Sequence, residues 1–267
     1  MRKQAGVTLL EMVVAFALFS LVGLVLATAF SKAGDIWRDV SGSNDTQVRL
    51  RKSQNSISTD LKRTSFESVG IISGTLSLGP EDSPAFFFLS AIDPATGQFS
   101  RTRSGTPFWQ RNILYYLTVP KDHAGLYGLT CSGAADGQGY DIGCPHKVLI
   151  RKVIDTGAVT LPSDESTMEE PLTAAEAVKY LTSPVRFDTS SMAIEPGLTD
   201  VSIVATNLLT MRAELAASAR WPHEIRILLS TVDILNAQRE KPIGQTAFDL
   251  DSIHRLDILL QLFPSLP

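Results

Sequence analysis

The segment from Val7 to Phe30, VTLLEMVVAFALFSLVGLVLATAF, restricts what this chain can become more than any other. Nineteen of its 24 residues are apolar, and Glu11 is its one charged residue. As an α-helix it extends about 36 Å, enough to cross a hydrocarbon core of about 30 Å. Arg2 and Lys3 precede it, which predicts a cytoplasmic N-terminus and an outward-facing remainder. No second segment of this length follows, so the expected topology is a single pass through the membrane.

Composition narrows the function classes. The chain has 267 residues, with 24 Lys and Arg against 28 Asp and Glu, a net charge of −4. That balance argues against sequence-independent binding of nucleic acid, which clustered positive charge drives. Four His and two Cys are too few for a Cys-rich zinc module or a disulfide-dense scaffold. No HExxH, GxSxG or GxxxxGK[ST] element occurs. His123, His146, His223 and His254 are scattered at spacings that make no metal motif. No metal, cofactor or catalytic residue is therefore expected, and the chain reads as a non-enzyme.

Three readings compete for the apolar segment. A cleaved secretory signal would use Ala27-Thr28-Ala29 as its small-residue site, but the core of such a signal is about 7–15 residues, shorter than this one. A plain uncleaved anchor is the second reading. Neither gives Glu11 a role, although a carboxylate at the centre of a spanning helix costs roughly 2.5–3.5 kcal/mol. The third reading begins with Gly6, which stands directly before the apolar run, five residues ahead of Glu11.

The string Gly6-Val7-Thr8-Leu9-Leu10-Glu11 resembles the processing motif of type IV prepilins. The resemblance implies that a prepilin peptidase cuts between Gly6 and Val7 and methylates the new amine of Val7. Glu11 then becomes the fifth mature residue. Val7 stands where the family usually has Phe or Met, and Thr28 where many members have proline. The resemblance further implies that Glu11 neutralises the N-terminal amine of a neighbouring subunit when the apolar helices bundle into a filament, because an unpaired buried charge is strongly disfavoured. The implied partners are the prepilin peptidase, other pilin or pseudopilin subunits and inner-membrane lipid, with secreted cargo as a further candidate. Cleavage would remove Arg2 and Lys3 and take the net charge from −4 to −6, so no nucleic-acid partner is expected.

Residues 1–6 then form a leader, 7–30 the transmembrane and filament-core helix, 31–62 its amphipathic continuation and 63–267 a periplasmic head. Ala33, Ile36, Trp37, Val40, Val48, Ile57 and Leu61 recur every three to four residues, a stripe suited to laying the helix on the head. After Lys62 the pattern moves towards period 2. Val69–Ile72 with Thr75–Leu78 reads as a hairpin around Ser73-Gly74. Ala85–Ala91 reads as a buried strand, and Ile113–Val119 alternates. Lys147–Ile154, Val201–Ala205, Leu208–Glu214 and Ile225–Leu229 are further strands. Thr173-Ala-Ala-Glu176 is a capping box opening a short helix, and the spacing of Ile253, Leu256, Leu260 and Phe263 predicts a final helix over Asp251–Phe263. Asp93–Pro107 and Thr156–Pro171 are polar, Gly/Pro/Ser-rich surface loops. The fold class is α+β and pilin-like: a long N-terminal helix, its first half transmembrane, packed on an antiparallel sheet.

The strand Ile113-Leu114-Tyr115-Tyr116-Leu117 followed by Val148-Leu149-Ile150-Arg151 is similar to the J-type minor pseudopilins of type II secretion. The DVSIVATNLLTMRAEL stretch also resembles prepilin-like proteins of the Verru-Chthon cassette. Cys131 and Cys144 enclose a Gly-rich loop, and an oxidising periplasm makes a disulfide the simplest reading; two unpaired thiols are the alternative. Asp136 to Asp141 within that loop lacks the ligand pattern of a calcium loop. A head of about 200 residues with long loops suits a short filament or its tip. The competing class is a periplasmic binding or adhesive domain on a simple signal anchor.

Overall fold

A run of apolar residues followed by a polar segment with no proline before Pro80 lacks the strongest helix breaker, and Gly34 and Gly42 weaken the helix by only about 1 kcal/mol each. Helix α1 accordingly spans Leu9–Leu61. The structure, a computed structural model, describes residues 8–72, 85–93, 95–122, 125, 144–156, 160–161, 163–192, 194–216, 223–232 and 253–262. Residues 1–44 and 45–267 form two compact units.

In the first unit every residue from Thr8 to Phe30 is exposed, and the segment is long and apolar enough to cross a membrane. A helix that is apolar all round needs a lipid or protein environment. Its few polar side chains are satisfied within the helix: Ser20 Oγ donates to Phe16 O at 2.8 Å and Thr28 Oγ1 to Val25 O at 2.8 Å. Such back-bonding removes the cost of an unsatisfied hydroxyl in hydrocarbon. Ala33, Ile36, Trp37 and Val40 are exposed.

Among the described residues, the second unit joins the end of α1 to two antiparallel sheets. One has five strands in the order β1 (Gly70–Ile72), β2 (Ala85–Ser90), β3 (Arg111–Thr118), β4 (Lys147–Ile154) and β5 (Leu198–Leu208). The other has β6 (Thr210–Ala216), β7 (Glu224–Val232) and β8 (Ile253–Gln261). A short helix α2, Ala174–Val178, starts at the expected capping box, with Thr173 and Glu176 bonded reciprocally. The chain passes from one sheet to the other at Asn207, whose φ of 59° lies in the left-handed region that Asn tolerates better than most residues.

The five-stranded sheet is buried on both faces. Phe86, Phe88, Ile113, Tyr115 and Leu149 share one core with the end of α1 and the inner face of β6–β8. Phe87, Leu114, Tyr116, Val148 and Ile150 pack on the opposite face against Leu172, Ala177 and Met192. This double burial explains why AFFFLS and RNILYYLT carry nearly continuous apolar runs.

Two sequence expectations are corrected. First, the face of α1 that enters the head runs through Thr46, Leu50, Ser53, Ile57 and Leu61. Ile57 and Leu61 are on it, but Val48 is 55 % exposed. The face includes small polar residues that an apolar-only stripe skips, and Ser53 Oγ is satisfied by Arg49 O at 3.0 Å. Second, Asp251–Phe263 is not a helix, because Ile253–Gln261 is strand β8, paired along its length with β7. Leu256, Ile258 and Leu260 face Leu229, Ile227 and Ile225, a period-2 pattern hidden in a segment that also satisfies period 3.6. Of the expected hairpin, Gly70–Ile72 forms strand β1, which pairs with β2, Gly70 opposite Phe87. A Cβ on Gly70 would lie 2.1 Å from the Phe87 ring, so only glycine admits that ring. Thr75–Leu78, the other arm of the expected hairpin, lies outside the described residues.

Candidate functional site

Among the described residues, two places combine geometry with chemistry: the start of α1 and a cleft in the head. At the helix start, Thr8 N–H and Thr8 Oγ1 donate to Glu11 Oε2 at 2.8 and 2.9 Å. Glu11 N–H returns a bond to Thr8 Oγ1 at 3.3 Å. This is a capping box, and it satisfies two of the backbone donors that a helix leaves unpaired at its start. Both Thr8 bonds use the same oxygen of Glu11. The signal Thr-x-x-Glu was present in the sequence at Thr8–Glu11 just as at Thr173–Glu176. Gly6 and Val7 lie outside the described residues.

In the head, the two long polar loops converge beside the residues that follow α1. They enclose a cleft of about 1070 Å³, walled by Trp109, Phe99, Met168 and Pro107 and edged by Arg63 and Glu67. Each wall is held by its own hydrogen bonds. The first loop doubles back on itself: Ser100 N–H donates to Ala91 O at 2.7 Å, Phe108 N–H to Ser100 O at 3.1 Å and Thr102 N–H to Thr106 O at 2.8 Å. Its tip contains Gly105 at φ +88°, a conformation open to glycine. Asp93 closes the base by accepting from Ala95 N–H and Thr96 Oγ1, and those bonds hold its carboxyl below the ordinary range.

The second loop is pinned by Asn112, a fully buried side chain on β3. Its Nδ2 donates to Glu169 Oε1 at 3.1 Å and Glu170 O at 2.9 Å, while its Oδ1 accepts from Leu172 N–H at 3.1 Å. Arg103 N–H donates to Glu165 Oε1 at 2.9 Å, joining the loops directly. Glu169 N–H donates to Trp109 O at 3.0 Å. Sequence reading located both loops but gave no sign that they meet, since Arg103 and Glu165 are 62 residues apart.

The end of α1 is clasped to the sheet next to this cleft. Tyr115 and Arg151, cross-strand neighbours on β3 and β4, both bind Asp60. Tyr115 Oη and Arg151 Nε each donate to Asp60 Oδ2 at 2.7 Å, and Ser56 Oγ lies 2.8 Å from Tyr115 Oη. Burial and the Asp60 carboxylate push the Tyr115 phenol far above its ordinary value, so it stays a neutral donor.

Residues 1–27 match the family described as the prokaryotic N-terminal methylation motif. The chain is type IV prepilin-like. No curated protein and no solved structure matches it. The match covers most of the apolar segment and the capping box at its start, so the N-terminus and not the head carries the assignment. The motif and the apolar helix together make this prepilin-like protein a membrane-anchored one, and the motif implies processing by a prepilin peptidase and assembly with other pilins. Of the other sequence-derived residues, Cys144 is buried and precedes β4, which begins at Lys147. Cys131, His123 and the Asp136–Asp141 stretch lie outside the described residues.

Proposed function

We propose that this prepilin-like protein is a non-enzymatic minor pilin or pseudopilin subunit. It is cut between Gly6 and Val7, methylated on Val7, and polymerised through its N-terminal helix with the head in the periplasm. A short filament of the type II secretion or type IV pilus kind fits it, with the head near the tip because its long loops would crowd a regular stack. The observation that supports this reading is the methylation motif at residues 1–27 running directly into a helix apolar on all sides. Open assemblies built from one repeated helix contact are what heterologous interfaces produce.

Mass spectrometry of the protein co-expressed with a prepilin peptidase tests it. Loss of Met1 to Gly6 with N-methyl-Val7 is the expected result. A chain starting at Phe30 would assign the segment to a secretory signal, and an intact Met1 to a simple anchor carrying a binding domain. The same spectra report on the cysteines. A Cys131–Cys144 disulfide predicts no alkylation of the urea-denatured protein before reduction, and loss of about 3 kcal/mol of stability on reduction. Alkylation of both thiols in the denatured, unreduced protein would exclude the bond.

Glu11 has two separable roles in this reading, the cap on Thr8 and the charge offered to a neighbour's amine. Gln at the third helical position preserves a capping box and removes the charge, while Leu removes both. Glu11→Gln and Glu11→Leu are expected to be cleaved normally and to enter filaments at less than a tenth of the wild-type level, measured by shearing and immunoblotting. Normal incorporation of Glu11→Gln would leave the cap as the only function of this carboxylate.

A further inference from the structure

We propose that the head cleft binds an extended peptide segment bearing an arginine or lysine side chain. The cleft volume of about 1070 Å³ slightly exceeds the roughly 300–1,000 Å³ that suits compact small molecules, and the cleft is open to solvent, which favours a chain laid along it. Trp109, Phe99 and Met168 supply flat and adaptable apolar surface for the stem of a long side chain.

Charge selects the ligand. Glu67, Glu165, Glu169 and Glu170 line the cleft against Arg63 and Arg101. Arg101 is already engaged, with its guanidinium 5.0 Å from the Phe99 ring centroid and Nη1 donating to Gly105 O at 2.8 Å. The carboxylates are therefore in excess. An independent observation points the same way. Glu169 is 4 % exposed, and its Oε1 accepts from Thr156 N–H, Thr156 Oγ1 and Asn112 Nδ2. Its Oε2 has no hydrogen-bond partner among the described residues. A buried carboxylate oxygen left without a donor is costly, and a guanidinium or ammonium is the donor group that relieves it best.

The walls are preformed. The first loop is held by its own backbone ladder and the second by Asn112, so ligand binding does not have to order them, which favours affinity. This inference concerns the head alone and stands whether or not the N-terminus is processed.

The test uses the full chain in dodecylmaltoside micelles and two fluorescein-labelled octapeptides, Gly-Ala-Leu-Arg-Leu-Arg-Ala-Gly and the same peptide with Glu in place of both Arg. Fluorescence anisotropy is expected to show saturable binding of the arginine peptide and none of the glutamate peptide. Trp109→Ala and Glu170→Gln should each weaken binding about tenfold, while Glu224→Gln, which removes a carboxylate on β7 outside the cleft, should leave it unchanged. Glu170 is exposed, so its substitution tests the cleft without endangering the fold. Equal binding of the two peptides, no saturable binding of the arginine peptide in the millimolar range, or an equal loss in Glu224→Gln would overturn the proposal.

Discussion

Asp60→Ala is expected to loosen the end of α1 from the head and to cost about 3 kcal/mol of stability. The carboxylate receives Tyr115 Oη and Arg151 Nε, both at 2.7 Å, from adjacent strands of the five-stranded sheet. Its removal leaves a guanidinium that is only 22 % exposed facing the hole. Arg151 retains Asp200 at 3.4 Å, but that carboxylate is 60 % exposed and holds its partner weakly. Burial works against the Arg151 charge, yet the Asp60 bonds outweigh it and hold the guanidinium above its ordinary value. Urea unfolding of Asp60→Ala, Arg151→Met and the double variant measures the coupling. The double variant should lose less than the sum of the two single losses, because the orphaned charge is gone. Additive losses, or an Asp60→Ala variant within about 0.5 kcal/mol of wild type, would show that the clasp does not hold the helix.

That clasp illustrates which parts of the molecule were readable from residues in order. The two strands bearing Tyr115 and Arg151 were visible as apolar runs, and so was the order of helix before sheet. What they grip was not: Asp60 is one acidic residue among many on a polar stretch of helix, and its significance comes from contacts 55 and 91 residues away. The cleft was hidden for the same reason. The errors have a different origin. The last strand was misread because Ile253, Leu256 and Leu260 satisfy a helical spacing while Leu256, Ile258 and Leu260 satisfy a strand spacing, and only pairing with β7 decides between them. The buried face of α1 was misplaced because Thr46 and Ser53 are small enough to be buried without being apolar. The N-terminal motif was legible because its chemistry is local: cleavage, capping and insertion all read a few consecutive residues.

The far face of the sheet carries a second buried charge, and there the expected outcome depends on which partner is removed. Lys152 is fully buried. Its ammonium donates to Tyr180 O at 2.8 Å, Thr182 Oγ1 at 2.9 Å and both oxygens of Glu195 at 2.8 and 2.6 Å. It also lies 5.5 Å from the Tyr116 ring centroid. These bonds hold Tyr180, Thr182 and Glu195 against the sheet. Lys152→Met strands Glu195, whose side chain is 11 % exposed, and is expected to cost about 3–5 kcal/mol. Lys152→Met combined with Glu195→Gln removes both charges and should recover most of that loss, since an apolar or neutral replacement of a buried pair is often close to neutral. The pH profile adds a signature that mere loss of packing lacks. Burial lowers the Lys152 ammonium below its ordinary value of 10.5 despite the opposing Glu195, so between its folded value and 10.5 the unfolded chain binds more protons. Stability supplied by this group must then rise with pH across that alkaline window, in wild type and not in Lys152→Met. A double variant as unstable as Lys152→Met, or identical alkaline slopes in the two proteins, would mean that Tyr180, Leu181, Phe187 and Met192 are held by their packing on the sheet's far face and not by the ion pair.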